Sequence, residues 1–131
     1  MNLIGYNMTT VQIARYMITF VWLYHGIFPK LVHVAPLEQL MTGSIGFSDD
    51  ISYLITKAAG IGEVIFGLLF FVFYKTKPMN ILNILALAFL LLSVAMLQPQ
   101  LLIEAFNPVT TNLPIMAFSF VLLNEINRGK L

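Results

Sequence analysis

The stretch WLYHGIFPKLVHVAPLE, Trp22 to Glu38, gathers two histidines, a lysine, two prolines and a glutamate within seventeen residues. A second carboxylate, Glu63, interrupts the apolar run GIGEVIFGLL, and Gln98, Gln100, Glu104 and Asn107 collect further on. Such groups pair as ions, hold a polar ligand or move protons. His25 and Glu63 could serve as an acid–base pair if their heavy atoms come within hydrogen-bond reach. No metal site is expected, because His33 and Glu38 lack an established ligand spacing and His25 and His33 stand eight apart. Haem ligation by either histidine has no better support. Cysteine is absent, which removes thiolate nucleophiles and iron–sulfur ligation, so a redox role would need a bound cofactor.

The elements that position these groups follow from composition. Of the 131 residues, 59% are apolar and only 10% charged, against roughly 25% charged in an ordinary soluble domain. Mean hydropathy is +0.86. The chain belongs in a lipid bilayer, and its net charge of +1 leaves no electrostatic footprint for nucleic acid.

A bilayer core about 30 Å thick needs roughly 20 helical residues. Four spans of about that length are expected. The first runs from residue 11 to 28, after Thr9 and Thr10 as N-cap candidates, and is stopped or kinked by Pro29. Without a cleavage site after it, it reads as a retained anchor. The second covers residues 58–74 and continues a helix opened by Ser48-Asp49-Asp50. The third covers 78–97, with Pro78 in its first turn. The fourth covers 108–127 if it starts at Asn107-Pro108, which puts Pro114 inside it; a start at Asn112 avoids that kink and shortens the helix. The expected fold is all-α: one domain, an antiparallel four-helix membrane bundle with a long outer loop between the first two spans. Pro36 to Met41, ended by Gly43, is expected to form a short interfacial helix in that loop.

Lys75, Lys77, Arg128, Lys130 and a snorkelling Arg15 fall on one face, Lys30 and Lys57 on the other, so both termini are expected in the cytoplasm. His25 then lies about one turn below the outer end of the first span, and Glu63 roughly 7 Å below that of the second. Pro29 cannot donate an N–H, so the carbonyl of His25 loses its helical partner beside the imidazole. The polar residues converge in the outer half.

An ionisable residue inside a span faces protein rather than lipid. Glu63 has two readings: a structural pair with His25 or Lys30 that fixes helix register, or part of a ligand-binding or proton-handling site. Ala59 and Gly67 share its face at helical spacing and would let a neighbouring helix approach. Trp22, Tyr24 and Phe28 are expected as interfacial aromatics, with quinone stacking as the sharper alternative. Asn83, Ala86 and Ser93 give the third span a small or polar packing face.

The segments WLYHGIFPKLVHVAPLEQL, GIGEVIFGLL and FNPVTTNLP resemble the DoxX-like family of small bacterial four-helix membrane proteins. The matching residues are Tyr24, Gly26, Pro29, Lys30 and Glu38; Gly60, Glu63 and Gly67; and Asn107, Pro108 and Asn112. The resemblance implies a multi-pass protein of the bacterial cytoplasmic (inner) membrane, with Lys30, Glu38, Glu63 and Asn107 as site residues. Some relatives are similar to membrane subunits of quinone-linked sulfur oxidation, or associate with oxidoreductases. This chain has no Gly-rich dinucleotide loop, so it is not expected to be an enzyme on its own. The expectation is a non-catalytic membrane subunit or anchor for an oxidoreductase, with Glu63, His25, Lys30, Glu38, Asn107 and Tyr24 forming a polar core for a quinone or lipid. Alternatively, it is a small proton-coupled transporter using Glu63, which one four-helix chain would build as a homo-oligomer. An enzyme acting on a lipophilic substrate through Glu63 and His25 ranks last.

Overall fold

In a computed structural model, which describes residues 9–131, every regular element is helical and no strand occurs among the described residues. Helix α1, Thr10–Gly26, is capped by Thr9, whose hydroxyl accepts the Gln12 N–H at 3.2 Å. Pro29, expected to stop or kink the first span, falls where the α-helix has given way to another register. The helix widens into a π turn, Ile27–Val32, in which the His33 N–H donates to the Phe28 carbonyl at 3.4 Å. A proline removes one α-register bond, and a five-residue register restores pairing around the gap.

Helix α2, Pro36–Gly43, starts on its proline and buries none of its residues. Helix α3, Asp49–Phe73, opens as its sequence indicates: the Ser48 hydroxyl accepts from Ile51, and Asp49 and Asp50 sit where the helix dipole favours negative charge. Helix α4, Lys77–Leu97, carries Pro78 in its first turn, and a short 3-10 turn, Pro99–Ile103, follows it. Helix α5, Pro108–Asn127, begins at the earlier of its two candidate starts, with Pro114 inside it. Asn107 caps it, its side-chain oxygen accepting the Thr110 N–H at 3.0 Å.

Helices α3, α4 and α5, of 25, 21 and 20 residues, are long and apolar enough to cross a membrane. Helix α1 has 17 residues and gains six more in the π turn. The expected position of the N-terminus concerns residues outside those described.

Polarity is distributed inside out. Ile61, Ile65, Leu68, Leu85, Phe89 and Leu92 face outward, whereas Thr19, Lys30, Ser52, Thr56, Asn80, Asn83, Asn112 and Ser119 are buried. A soluble protein with that much exposed apolar surface would aggregate. A bilayer takes the apolar surface and leaves the polar groups to find partners inside.

Helices α1 and α3 run antiparallel, with Arg15 beside Phe71, Trp22 against Gly67 and Gly26 against Gly60. The closest approach is backbone to backbone. A Cβ added to Gly60 would sit 2.8 Å from the Gly26 carbonyl oxygen and 2.8 Å from the Lys30 Cβ. Ala59, expected on this packed face, is exposed. The buried face of α3 is Ser52, Thr56, Gly60, Gly67 and Phe70, which keeps Gly67 and has Gly60 in place of its neighbour Ala59. One residue turns a helix by about 100°, enough to carry Ala59 off the contact.

Arg15 does not simply reach for water. Its Nε donates to the Phe71 carbonyl at 2.9 Å, and its guanidinium lies 3.8 Å from the Phe71 ring centre and 4.2 Å from that of Tyr74. This contact ties the start of α1 to the end of α3.

Gly60→Ala should destabilise the protein by about 1–3 kcal/mol, the range for overpacking a tight contact. Gly62→Ala, where an added Cβ meets nothing within 4 Å, should be neutral or slightly stabilising because it only relieves the helical cost of glycine. Unfolding in detergent, followed by circular dichroism, reads both. Equal stability of the two variants would show that the glycine contact is not what holds α1 to α3.

Candidate functional site

The face of α1 that carries Ile18, Trp22 and Gly26 points into the protein. The next position on that face, four residues on, is Lys30, which the π turn carries into the space between α2 and α3. Its side chain is buried although it is a lysine, with the residue only 8% exposed. The stem rests against Gly60, where any side chain would collide with it.

Two carboxylates meet the ammonium. Lys30 Nζ lies 2.9 Å from Glu38 Oε1 on α2 and 3.2 Å from Glu63 Oε2 on α3. The first contact is a hydrogen bond donated by the ammonium. The second is an ion contact outside good hydrogen-bond angles, and Glu63 Oε2 is buried with no donor among the described residues. A buried charge is tolerated only when paired, and here one cation holds two anions on separate elements. Lys57 reinforces the corner from α3, its ammonium donating to the Leu31 carbonyl at the end of the π turn.

On its inner side, Glu63 borders a small cavity lined also by His25 and Trp22 of α1, Leu87 and Leu90 of α4, and Asn112 of α5. Four helices thus converge on one point. Beside it runs a buried polar chain: Trp22 Nε1–H donates to Asn83 Oδ1 at 2.7 Å, and Asn83 Nδ2 donates to Ser119 Oγ at 2.7 Å. Trp22 is therefore not an interfacial aromatic. Tryptophan favours interfaces because its N–H finds water there; at this position Asn83 supplies the acceptor inside the protein.

The residues expected to form the polar core separate into three groups. Lys30, Glu38 and Glu63 meet as an ion cluster, and His25 joins Glu63 at the cavity. Tyr24 turns outward, 47% exposed, with its ring 4.8 Å from that of Phe28. Asn107 spends its side chain on capping α5 and on donating to the Glu104 carbonyl at 2.8 Å. Gly60 and Gly67 both lie in the contact with α1. Asn112 is the buried cavity residue that the sequence pointed to only as a helix start or as part of the resemblance motif. Its signal was a carboxamide one turn inside an apolar helix. His33 is exposed. No group of three His, Cys, Asp or Glu placed to hold a metal occurs among the described residues.

A second opening, of about 370 Å³, lies at the end of the molecule that carries α2. It is lined by Leu37, Leu101, Glu104, Ala105, Phe106 and Pro108. Leu37 is the chain neighbour of Glu38, so groove and ion cluster share α2.

An apolar exterior around a buried ion cluster defines a small helical membrane protein with a polar interior site. The chain belongs to the DoxX-like family, whose model matches residues 19–120 and so takes in Lys30, Glu38, Glu63 and the cavity. No curated protein and no solved structure matches it.

Lys30→Met would leave two carboxylates facing each other without a cation and should cost about 3–5 kcal/mol, the range for breaking a buried pair from one side. Glu63→Gln leaves Lys30 its bond to Glu38 and should cost clearly less. Midpoints of unfolding in mild detergent would rank the two. A methionine variant as stable as the parent would mean that the cluster does not hold α2 and α3 to the π turn.

Proposed function

We propose that this protein is a non-catalytic membrane subunit or anchor for an oxidoreductase of the bacterial cytoplasmic membrane, and that it holds a quinone or lipid at its outer end. In this proposal the chain is one domain, an antiparallel bundle of four spans in which α1 and the π turn make the first. Both termini face the cytoplasm, with Lys75, Lys77, Arg128 and Lys130 on that side.

One observation carries the proposal: a buried ammonium held by two carboxylates, one of them on α2, the helix whose Leu37 also lines a mostly apolar groove of about 370 Å³. Ligand sites commonly combine roughly 300–1,000 Å³ of apolar space with a few fixed polar groups. Lys30 would donate to a quinone carbonyl or a lipid phosphate, Glu38 would exchange partners as it does so, and the groove would take the apolar tail. The cavity at His25 is too small for a quinone ring, so the ligand belongs at the outer cluster. The chain has no cysteine, and electron transfer then rests with a bound cofactor and a partner.

A second reading has its own observation. Glu63 is a carboxylate within a membrane-spanning helix, and its contact with Lys30, at 3.2 Å, is ionic without hydrogen-bond geometry. A carboxylate free to gain and lose a proton is what a proton-coupled transporter requires, and a homo-oligomer would supply the pathway.

Native mass spectrometry of protein extracted gently from its own membrane separates these readings. The expected result is a stoichiometric quinone or lipid that is lost in Glu63→Gln, together with a co-purifying oxidoreductase. A bare homo-oligomer would overturn the subunit proposal in favour of transport, and a bare chain bound to another protein would leave an anchor without a ligand.

A further inference from the structure

The end of the molecule opposite α2 is rich in cations. Arg15, Lys75, Lys77, Arg128 and Lys130 belong to it, and Glu125, the acidic side chain at that end, is taken by Arg128 at 3.3 Å. Among the described residues, no carboxylate lies within ion-pair distance of Arg15, Lys75 or Lys77. Two of these cations nevertheless share one aromatic ring. The Arg15 guanidinium lies 4.2 Å from the centre of the Tyr74 ring and the Lys75 ammonium 5.7 Å from it, both within the range of cation–π attraction. Like charges gathered on one ring without a counterion favour an anion beside them.

The hydrogen bonds around the ring point to the same charge. Tyr74 is 7% exposed, and its hydroxyl accepts from Gln12 Nε2 at 3.3 Å. Gln12 Oε1 accepts from Arg15 Nη1, also at 3.3 Å, so one carboxamide bridges the phenol and the guanidinium and keeps them close. Arg15 Nε is engaged by the Phe71 carbonyl. Arg15 Nη2, the Tyr74 O–H and the Lys75 ammonium are left without an acceptor among the described residues. A site whose acceptors are engaged and whose donors remain suits a ligand that only accepts, as phosphate oxygens do. The turn that carries Lys75 is fixed as well. Asn80, fully buried, donates through Nδ2 to the carbonyls of Tyr74 and Thr76, on either side of Lys75, at 2.8 and 2.9 Å.

We propose that Arg15, Tyr74 and Lys75 form a binding site for the phosphate of an anionic phospholipid. Arg15 Nη2 and the Tyr74 O–H donate to the phosphate oxygens, and the Lys75 ammonium adds charge from the turn. A lipid is favoured over a free anion by what surrounds the site. Val72, Phe73 and Tyr16, on the two helices that meet there, are 64%, 48% and 44% exposed and give acyl chains an apolar wall. Lys75 and Lys77 directly follow a helix long enough to span, where the headgroups of a bilayer lie, and basic pockets between spans are the usual receptors for anionic headgroups. The site is at the opposite end of the molecule from the ion cluster of Lys30, Glu38 and Glu63 and does not depend on a quinone or lipid bound there.

Native mass spectrometry of the protein in mild detergent, titrated with phosphatidylglycerol, phosphatidylcholine or inorganic phosphate, tests the proposal. One phosphatidylglycerol should be retained, several-fold more tightly than phosphatidylcholine, and inorganic phosphate in large excess should not displace it. Arg15→Gln removes the main donor but also a tie between α1 and α3, so Lys75→Gln and Tyr74→Phe, which keeps the ring, are the cleaner variants. Each should weaken retention several-fold, whereas Lys130→Gln, the same loss of charge on the exposed tail, should leave it unchanged. Equal retention of the two lipids would overturn the site. So would a Lys130→Gln effect as large as that of Lys75→Gln, which would mean diffuse attraction. Displacement by inorganic phosphate would overturn the lipid as occupant and leave a free-anion site. The phosphatidylglycerol signal should persist in Glu63→Gln, which separates this result from loss of a ligand at the outer end.

Discussion

Backbone contact between Gly26 and Gly60 is the constraint from which the rest of the arrangement follows. Lipid tails are as apolar as leucine, so burying apolar side chains between helices gains little in a bilayer, and association depends on close packing and on hydrogen bonds. With no side chain on either residue, α1 and α3 approach until an added Cβ would fall within 3 Å of the opposite carbonyl. That proximity brings the stem of Lys30 onto α3 and sets its ammonium within reach of Glu63, three residues beyond Gly60. A wider spacing would leave both charges facing lipid.

The π turn and the glycines act together. Pro29 costs the helix one backbone bond, and the wider register lets the chain continue inward for one more turn instead of breaking away at Phe28. Lys30 therefore remains on the face begun by Ile18, Trp22 and Gly26. The other half of the interior is tied by neutral groups, through the Trp22–Asn83–Ser119 chain that links α1, α4 and α5. Ionic contacts close the end near α2, amide and hydroxyl contacts close the middle, and the stacked Arg15 guanidinium closes the far end.

The helices were largely legible in the sequence because hydropathy, caps and prolines act locally. Ser48, Asn107, Pro36 and Pro78 each open a helix where their chemistry predicts. Lys30, Glu38 and Glu63 could be singled out as costly charges in an apolar chain, although their common contact could not, because it depends on a π turn that hydrophobic periodicity does not report. Ala59 was misplaced because the inward face of α3 advances by threes and fours, through Thr56, Gly60, Glu63 and Gly67, and a step of four back from Glu63 lands beside Gly60 rather than on it. Trp22 was misread because an indole N–H announces a need for an acceptor without saying whether water or Asn83 provides it. Asn112 and Ser119 carried the same kind of signal, a polar group inside a span, and only their packing distinguishes a helix start from a cavity wall.

Helix α2 buries none of its residues. Among the described residues, its side-chain attachments to the rest of the chain are the bond between Glu38 and Lys30 and, just past its end, that between Ser44 and Gln98. Charges that water can reach are screened by dissolved ions, whereas steric contacts in hydrocarbon are not. Part of the Glu38 carboxylate is reached by water; the Gly26–Gly60 contact is not. The outer cap and the helical body thus answer to different variables, the first to the ionic strength of its surroundings and the second to the thickness of the bilayer that encloses it.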